Sequence, residues 1–275
     1  MPAPNRYKYT DTRGEHLHTL DGRPLIGTSR VGSILAKPLT WWASGLAVQT
    51  FGCPDPKILT KIKNKKATKE EKFKHEDAMG LALDMIKNMD VAQFSALIDK
   101  AYRAHQTTLK DKAVAGTDLH AECERFVKDW MAFGGYNADK YDPQITPFID
   151  WSRDNVKYFL WSEGHCYSEK HWLGGISDTG YEKHDGTFGV LDFKSSKEAY
   201  IGQFWQCSGY DIQISENGVF DADGNLIYTL EKPFKEYCIF PFGAEKPAPQ
   251  FNFDMAGSKE AFLAELCIYK KLPQD

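Results

Sequence analysis

The residues best suited to chemistry lie in two short segments in the second half of the sequence. The segment GGISD ends at Asp178, and after 13 intervening residues the segment DFK supplies Asp192 and Lys194. Because Asp192 and Lys194 are two residues apart, their side chains project from the same face if the segment is a β-strand. If the strand that carries Asp178 is its neighbour, two carboxylates and one ammonium group converge.

This grouping could hold a divalent cation. Carboxylates and a backbone carbonyl, here that of Phe193, are the hard oxygen ligands that Mg²⁺ and Mn²⁺ prefer. Such an ion can polarise a phosphoryl oxygen and lower the pKa of a bound water, which Lys194 can orient. The pattern Asp-x-Lys also describes an ordinary surface salt bridge, so the segment alone does not decide between the two interpretations.

Two pairs of polar residues at helical spacing accompany these segments. His120 and Glu124 stand four residues apart in GTDLHAECE, and Gln206 and Tyr210 have the same spacing in QCSGY. Each pair therefore lies on one face of its helix. A single histidine near an apolar face is more often structural than a ligand, and a Gln–Tyr pair is ordinary on a helix surface, so neither pair is specific by itself.

The elements around these residues predict an α+β fold. Residues 165–196 contain β-rich runs separated by glycines and by a turn at 184–187, which predicts strand, strand, turn, strand. After a break at Gly116, a helix is predicted for 117–133, with an inner face formed by Leu119, Cys123, Phe126, Val127 and Trp130. Further helices are predicted at 76–100, 101–113, 198–214 and 258–271, the last with Ser258 as its N-cap.

The domain organisation follows from the lack of a linker. No Gly/Ser/Pro-rich stretch divides the chain, and we predict one domain over residues 1–275. Within it, residues 1–113 are predicted to form a mostly helical N-terminal region whose first 24 residues are irregular. Residues 114–275 are predicted to form the catalytic core, a small mixed β-sheet flanked by helices.

The composition argues against several other classes of protein. The 275 residues are 42% hydrophobic and 26% charged, as in ordinary globular proteins. No run of 18 apolar residues predicts a membrane span, and the N-terminus lacks the apolar segment of a secretory signal. The six cysteines occur singly without a CxxC pair, so no zinc site or iron–sulfur cluster is expected, and a reducing, cytoplasmic location is predicted.

The charge pattern bears on nucleic-acid binding. The formal net charge of −4 argues mildly against a nucleic-acid partner. Residues 57–74, however, contain eight lysines and two glutamates. This segment is either a solvated surface or a patch that contacts DNA phosphates through Lys63, Lys65 and Lys66.

Taken in order, the segments resemble the PD-(D/E)XK nuclease superfamily, in particular its RecB-type branch. That branch has a Gly before a helical His, then Gly-x-x-Asp, Asp-x-Lys and Gln-x-x-x-Tyr. The corresponding segments here are GTDLH (116–120), GISD (175–178), DFK (192–194) and QCSGY (206–210). The segment SRVGSILAKPLTWWA is also similar to the N-terminal part of phage members, and the resemblance covers roughly residues 28–215.

The resemblance implies a restriction-endonuclease-like core and a metal site. Asp178 and Asp192 would ligate Mg²⁺ or Mn²⁺, with His120 and the backbone carbonyl of Phe193 as further ligands. Lys194 would position the attacking water.

The resemblance also implies supporting roles for four other residues. Gln206 and Tyr210 would support the lysine and contact the DNA backbone. Glu169 would match an extra acidic position of the family. Glu124 would contact the metal ligands rather than the metal itself and help to hold them in place.

The predicted function is that of a Mg²⁺/Mn²⁺-dependent deoxyribonuclease, an exonuclease acting on a single strand or a duplex end in phage or bacterial replication, repair or recombination. Because the sequence contains no GxxxxGK[ST] motif, unwinding of a duplex would need a partner such as a helicase, or a single-strand annealing protein. Two alternatives stay open. The chain could be a non-catalytic nucleic-acid-binding protein on the same scaffold, or an unrelated metal hydrolase that cleaves a smaller phosphate ester.

Overall fold

The structure is a computed structural model that describes residues 6–12, 15–35, 40–134 and 140–273. Its described strands are β1 (Tyr7–Thr12), β2 (Glu15–Leu20), β3 (Arg23–Pro24), β4 (Ile26–Gly27), β5 (Val156–Ser168), β6 (Leu173–Lys183), β7 (Phe188–Lys194), β8 (Val219–Phe220), β9 (Leu226–Tyr228), β10 (Glu236–Pro241) and β11 (Gln250–Asn252). Its described helices are α1 (Thr28–Val31), α2 (Thr40–Thr50), α3 (Lys57–Lys63), α4 (Lys69–Lys87), α5 (Val91–Phe133), α6 (Thr146–Asn155), α7 (Ile201–Asn217) and α8 (Met255–Tyr269). The Lys37-Pro38 pair of the segment that resembles phage nucleases lies outside the described residues.

A mixed sheet of eight strands forms the centre of the fold. Seven strands run in the order β11-β10-β7-β6-β5-β8-β9, and β4 pairs with β6 outside this path. Strand β7 is parallel to β10 and β4 is parallel to β6, while the other pairs are antiparallel. The predicted α+β class, with a mixed sheet flanked by helices, is confirmed, but the sheet is larger than the small one expected.

Helices cover both faces of this sheet. On β7, Leu191 and Phe193 pack in a core cluster with α5 and α6, whereas Phe188 and Val190 pack in a second cluster with α7. Successive side chains of a strand point to opposite faces, so α7 lies on the face opposite α5 and α6. The predicted inner face of the helix at 117–133 is confirmed, since four of its members are buried and the fifth is partly buried: Leu119, Cys123, Phe126, Val127 and Trp130.

The helix that carries His120 is longer than predicted. Helix α5 runs without interruption through Gly116, so the predicted break there is wrong. A glycine inside a helix costs only about 1 kcal/mol relative to alanine, which the burial of the following apolar face offsets. The helix ends before Gly134, as predicted, and the φ of 63° at this glycine lies in the left-handed region.

Two segments near the ends of the chain also differ from expectation. The region expected to be irregular contains the antiparallel pair β1–β2, extended by β3. Tyr7 and Leu20 on these strands pack with Leu25 in a small apolar cluster. At the other end, Ser258 is not the N-cap, because α8 begins at Met255 and is capped by Asp254, whose carboxylate accepts a hydrogen bond from the N–H of Gly257.

The chain divides into two compact units. One unit comprises Met1–Ala36 and Gly116–Asp275 and contains the strands named above. The other, Lys37–Ala115, is helical in its described part. The first strands therefore group with the sheet rather than with the helical segment that follows them. None of the described helices combines the length and the apolar character that a membrane span requires.

Gly180 on β6 allows the buried ring of Trp161 to lie directly against the strand. A Cβ at this position would stand 2.1 Å from the Cη2 atom of Trp161. We expect Gly180→Ala to lower the free energy of unfolding by about 1–3 kcal/mol, because an overpacked core must shift. Urea denaturation measures this change. Gly202→Ala in α7 is the control, since nothing lies within 4 Å of the added atom, and equal destabilisation by both changes would contradict this packing.

Candidate active site

The ends of β6 and β7 bring two acidic residues together. The antiparallel pairing of these strands ends at Thr179–Leu191, and Asp178 and Asp192 occupy the next position on each strand. Their side chains therefore lie on the same face of the sheet. One oxygen of the Asp178 carboxylate accepts a hydrogen bond of 2.7 Å from the backbone N–H of Phe193, which holds this carboxylate beside β7.

Lys194 adds a positive charge to this pair. Its Nζ atom lies 2.5 Å from Oδ2 of Asp192, as the spacing of two residues on one strand predicts. Burial acts to lower the pKa of Lys194, but the charges of Asp192 and Asp178 outweigh it and raise the pKa above its ordinary value. Lys194 is therefore an ammonium ion at neutral pH. The structure thus brings Asp178, Asp192 and Lys194 to one place.

The pKa of the Asp178 carboxyl group reflects its burial and its closeness to Asp192. Burial, followed by the negative charge of Asp192, raises its pKa to about 6, although His120, Lys194 and the N–H of Phe193 act in the opposite direction. Perturbed carboxyl groups of this kind concentrate at functional sites, because burial and like charges are costly to maintain. The site therefore holds more negative charge than one ammonium group offsets.

Helix α5 contributes His120 to the same site. The Nδ1 atom of His120 lies 3.8 Å from Oδ2 of Asp178, and its ring meets that of Phe193 edge to face, with centroids 5.8 Å apart. Glu124, one turn further along α5, forms an ion pair with Lys128. His120 is thus close to the carboxylates, as expected, while Glu124 is held on its own helix.

Glu163 is a site residue that the sequence analysis missed. The pairs Ser162–Thr179 and Gly164–Ser177 in the β5–β6 register place Glu163 directly opposite Asp178. Glu163, Asp178 and Asp192 therefore form a row across three neighbouring strands. Burial, then the charge of Asp178 and smaller contributions from other carboxylates, raises the pKa of Glu163 to about 8.

The backbone at Glu163 is also unusual. Its φ of 51° lies in the left-handed region, which a residue other than glycine adopts at a cost of about 1–3 kcal/mol. Such strain is concentrated at functional positions, where surrounding contacts maintain it. A signal was present in the sequence, because Glu163 is the only Asp, Glu, Lys or Arg in residues 158–168.

Helix α7 places Gln206 and Tyr210 on the face of the sheet that carries Asp192. The Nε2 atom of Gln206 donates a hydrogen bond of 2.7 Å to the hydroxyl of Tyr210. Burial, then the charges of Asp192 and Asp178, raises the pKa of Tyr210 well above its ordinary range. In the described part of the chain neither side chain hydrogen-bonds Lys194. Tyr210 is 4% exposed, so it has little surface for the predicted contact with DNA.

The other predicted residues do not come to this site. Glu169 lies in the turn after β5, and its carboxylate pairs with Arg6 at 2.9 Å, so the structure does not bring it to Asp178. Among the described residues, Glu169 makes no hydrogen bond or ion pair with Glu163, Asp178 or Asp192. Lys63, Lys65 and Lys66 are exposed residues at the end of α3 and in the turn after it, within the helical unit.

The oxygen atoms around Asp178 and Asp192 suit a hard divalent ion. Because the N–H of Phe193 points to Asp178, the carbonyl of Phe193 points to the same side of the strand. Among residues 6–12, 15–35, 40–134 and 140–273, no group of three or more His, Cys, Asp or Glu side chains is arranged to hold a metal ion. Two carboxylates, this carbonyl and water nevertheless form the kind of ligand set that Mg²⁺ accepts. The residues present therefore fit such an ion, which would also offset their excess negative charge.

Comparison with protein families and with individual proteins adds no assignment. No family model matches the chain, and no curated protein matches it.

Proposed function

We propose that the chain is a Mg²⁺- or Mn²⁺-dependent deoxyribonuclease with a restriction-endonuclease-like core of the RecB-type branch of the PD-(D/E)XK nucleases. The observation that carries this proposal is the convergence of Asp178, Asp192 and Lys194 at the ends of two neighbouring strands. The 2.7 Å hydrogen bond from Phe193 to Asp178 supports it further, because it fixes one carboxylate in advance of any ligand. The order of the matching sequence segments along the chain supports the same assignment.

The roles that we propose for the residues rest on their positions. Asp178 and Asp192 would hold the ion, together with the carbonyl of Phe193 and with His120 from α5. The bound ion would polarise the phosphoryl oxygen and supply a nucleophilic water. Lys194, charged and 2.5 Å from Asp192, would hold the water in line with the phosphate and stabilise the negative charge that develops there.

The remaining parts of the proposal concern DNA. Tyr210 and Gln206 would shape the wall of the site beside Asp192, and the exposed lysines Lys63, Lys65 and Lys66 would contact phosphates of the DNA backbone. We propose an exonuclease of phage or bacterial replication, repair or recombination that works in the cytoplasm. A helicase or a single-strand annealing protein would supply unwound DNA.

Digestion of end-labelled DNA tests the proposed function. We expect single-stranded or double-stranded substrate to be shortened in Mg²⁺ or Mn²⁺ and to stay intact when EDTA removes the ion, because the carboxylates need a cation to act on a phosphate diester.

Three other outcomes of this experiment would count against the proposed function. Intact DNA under all ionic conditions, from protein that is folded by circular dichroism, would overturn it. Binding of DNA without Mn²⁺ binding or cleavage would favour the non-catalytic alternative instead. Preferential hydrolysis of mononucleotide esters over DNA would favour the small-substrate hydrolase.

A further inference from the structure

The first half of helix α5 exposes a stripe of large apolar side chains, formed by Val91, Ile98, Tyr102 and Leu109. These side chains are between 45% and 84% exposed. Since a helix turns by about 100° per residue, the four positions lie within about 40° of one another around its axis. All four belong to the helical unit Lys37–Ala115. An exposed apolar stripe of this kind on a helix is typical of a surface that binds a partner.

The apolar stripe differs from the face by which this half of α5 packs within its own chain. The less exposed residues of this half all lie on one side of the apolar stripe, about 40–140° around the helix axis: Leu97, Ala101, Ala104, His105 and Thr108. Among them, Ala101 is fully buried. The chain therefore packs one face of the helix and leaves the neighbouring apolar stripe in solvent.

The spacing of the apolar stripe is the same in both directions along the helix. Seven, four and seven residues separate its successive members. If two copies of the helix lie antiparallel about a two-fold axis level with residue 100, Val91 meets Leu109 of the second copy. Ile98 then meets Tyr102 of the second copy, and both contacts occur twice. Interfaces between identical subunits have this self-complementary form, which a different protein partner does not require.

The side chains beside the apolar stripe also match in this arrangement. In an antiparallel pair related by a two-fold axis, each flank of one helix faces the same flank of the other. One flank carries Asp99 and Arg103, which form an ion pair of 2.9 Å within the helix. Across the axis, Asp99 of each copy faces Arg103 of the other. On the opposite flank, Phe94 is level with His105 of the second copy.

We propose that two copies of this chain associate through the apolar stripe, as an antiparallel pair of α5 helices. From Val91 to Leu109 the helix is about 27 Å long and about 10 Å wide. A contact of this size is smaller than the standard interface of about 800 Å² per partner, so the dimer is reversible and depends on protein concentration. This inference does not rest on the proposed function.

Sedimentation equilibrium of the full chain is the first test. We expect the average mass to rise from that of one chain towards that of two as the concentration increases from about 1 to about 100 μM, because a small apolar contact gives a Kd in this range. A constant mass of one chain would overturn the inference. An average mass that passes that of two chains would also overturn it, because a two-fold contact closes at a dimer.

A charged residue placed in the apolar stripe gives the second test. Tyr102→Glu puts a carboxylate at the centre of the contact, and we expect the Kd of the dimer to rise at least about tenfold. Ala96→Glu is the matched control, since it adds the same charge at an exposed position about 140° away on the same helix. Circular dichroism should give the same spectrum for both variants. Equal Kd values for the two would overturn the inference.

Disulfide cross-linking tests the antiparallel direction. We expect an equal mixture of the variants Ile98→Cys and Tyr102→Cys, treated with a mild oxidant, to form a covalent dimer faster than either variant alone, because only the mixture brings two thiols within disulfide reach. The parent protein measures the background from its exposed Cys267. Faster cross-linking in each single variant than in the mixture would indicate a parallel pair and contradict the proposal. A mixture that reacts no faster than the parent would contradict it too.

Discussion

Asp192→Asn is expected to remove divalent-ion binding and to lower DNA cleavage by more than about 100-fold, because a single electrostatic partner of a reacting group commonly contributes about 10²–10³-fold. Asp192 is 1% exposed, and its carboxylate lies 2.5 Å from the ammonium of Lys194. The amide keeps the shape of the side chain but removes the charge that attracts the ion. Digestion of an end-labelled single strand and calorimetric titration with Mn²⁺ measure the two effects.

The control for this prediction is another change from aspartate to asparagine. Asp154 lies at the end of α6, where it is exposed and pairs with Arg153, so Asp154→Asn should bind Mn²⁺ and cleave DNA as the parent does. Circular dichroism should give the same spectrum for both variants. A fully active Asp192→Asn protein would show that this carboxylate is not part of the reaction centre.

The central part of this site could be predicted from the sequence because it depends on local geometry. Asp192 and Lys194 share a face through the two-residue period of a strand, and the turn at 184–187 makes the preceding strand their neighbour. The 13 residues between Asp178 and Asp192 fit two strand ends and this turn, so both carboxylates reach the same end of the sheet. His120 lies on a helix face that apolar residues every three to four positions direct towards the sheet.

Glu163 could not be predicted in the same way, because its position depends on a pairing of distant residues. Only the register of β5 against β6 places it opposite Asp178, and this pairing includes two irregular steps before Ser162. An error of one residue in the register would turn its side chain to the other face. The resemblance instead indicates Glu169, which lies in the turn after β5 and pairs with Arg6.

The number of strands in the sheet could not be predicted from the sequence pattern either. Four of its strands have only two or three residues, namely β4, β8, β9 and β11, and so short a run shows no periodicity. Three of them, β4, β8 and β11, are held by pairing with a longer neighbour, such as β4 with β6, whereas β9 pairs with the short strand β8. The helix break expected at Gly116 does not occur, and the reason is related. The tertiary packing of α5 outweighs the weak preference of one glycine against helical structure.

Lys194→Met is expected to lower DNA cleavage by about 100-fold or more while Mn²⁺ binding persists, since it removes the charge that, in the proposed function, stabilises the reacting phosphate. Methionine keeps the length and the apolar part of this half-buried side chain. Cleavage of an end-labelled single strand measures the loss, and calorimetry measures the binding of the ion. Lys197→Met is the control, because Lys197 is an exposed lysine three residues further along the chain, and it should be fully active.

The pH of the titration separates two roles that Lys194 could have, namely stabilising the reacting phosphate and keeping the neighbouring carboxylates ionised. The positive charge of Lys194 acts to lower the pKa of Asp178, which burial and Asp192 raise to about 6. Without the ammonium, the pKa of Asp178 should rise further, and a protonated carboxyl group would not bind Mn²⁺. The titration is therefore repeated at increasing pH, because a higher pH ionises the carboxyl group. Binding that returns at higher pH while cleavage stays lost would assign the lysine to the reaction itself. Loss of both at every pH would mean that Lys194 mainly maintains the carboxylates, and undiminished cleavage would remove it from the reaction centre.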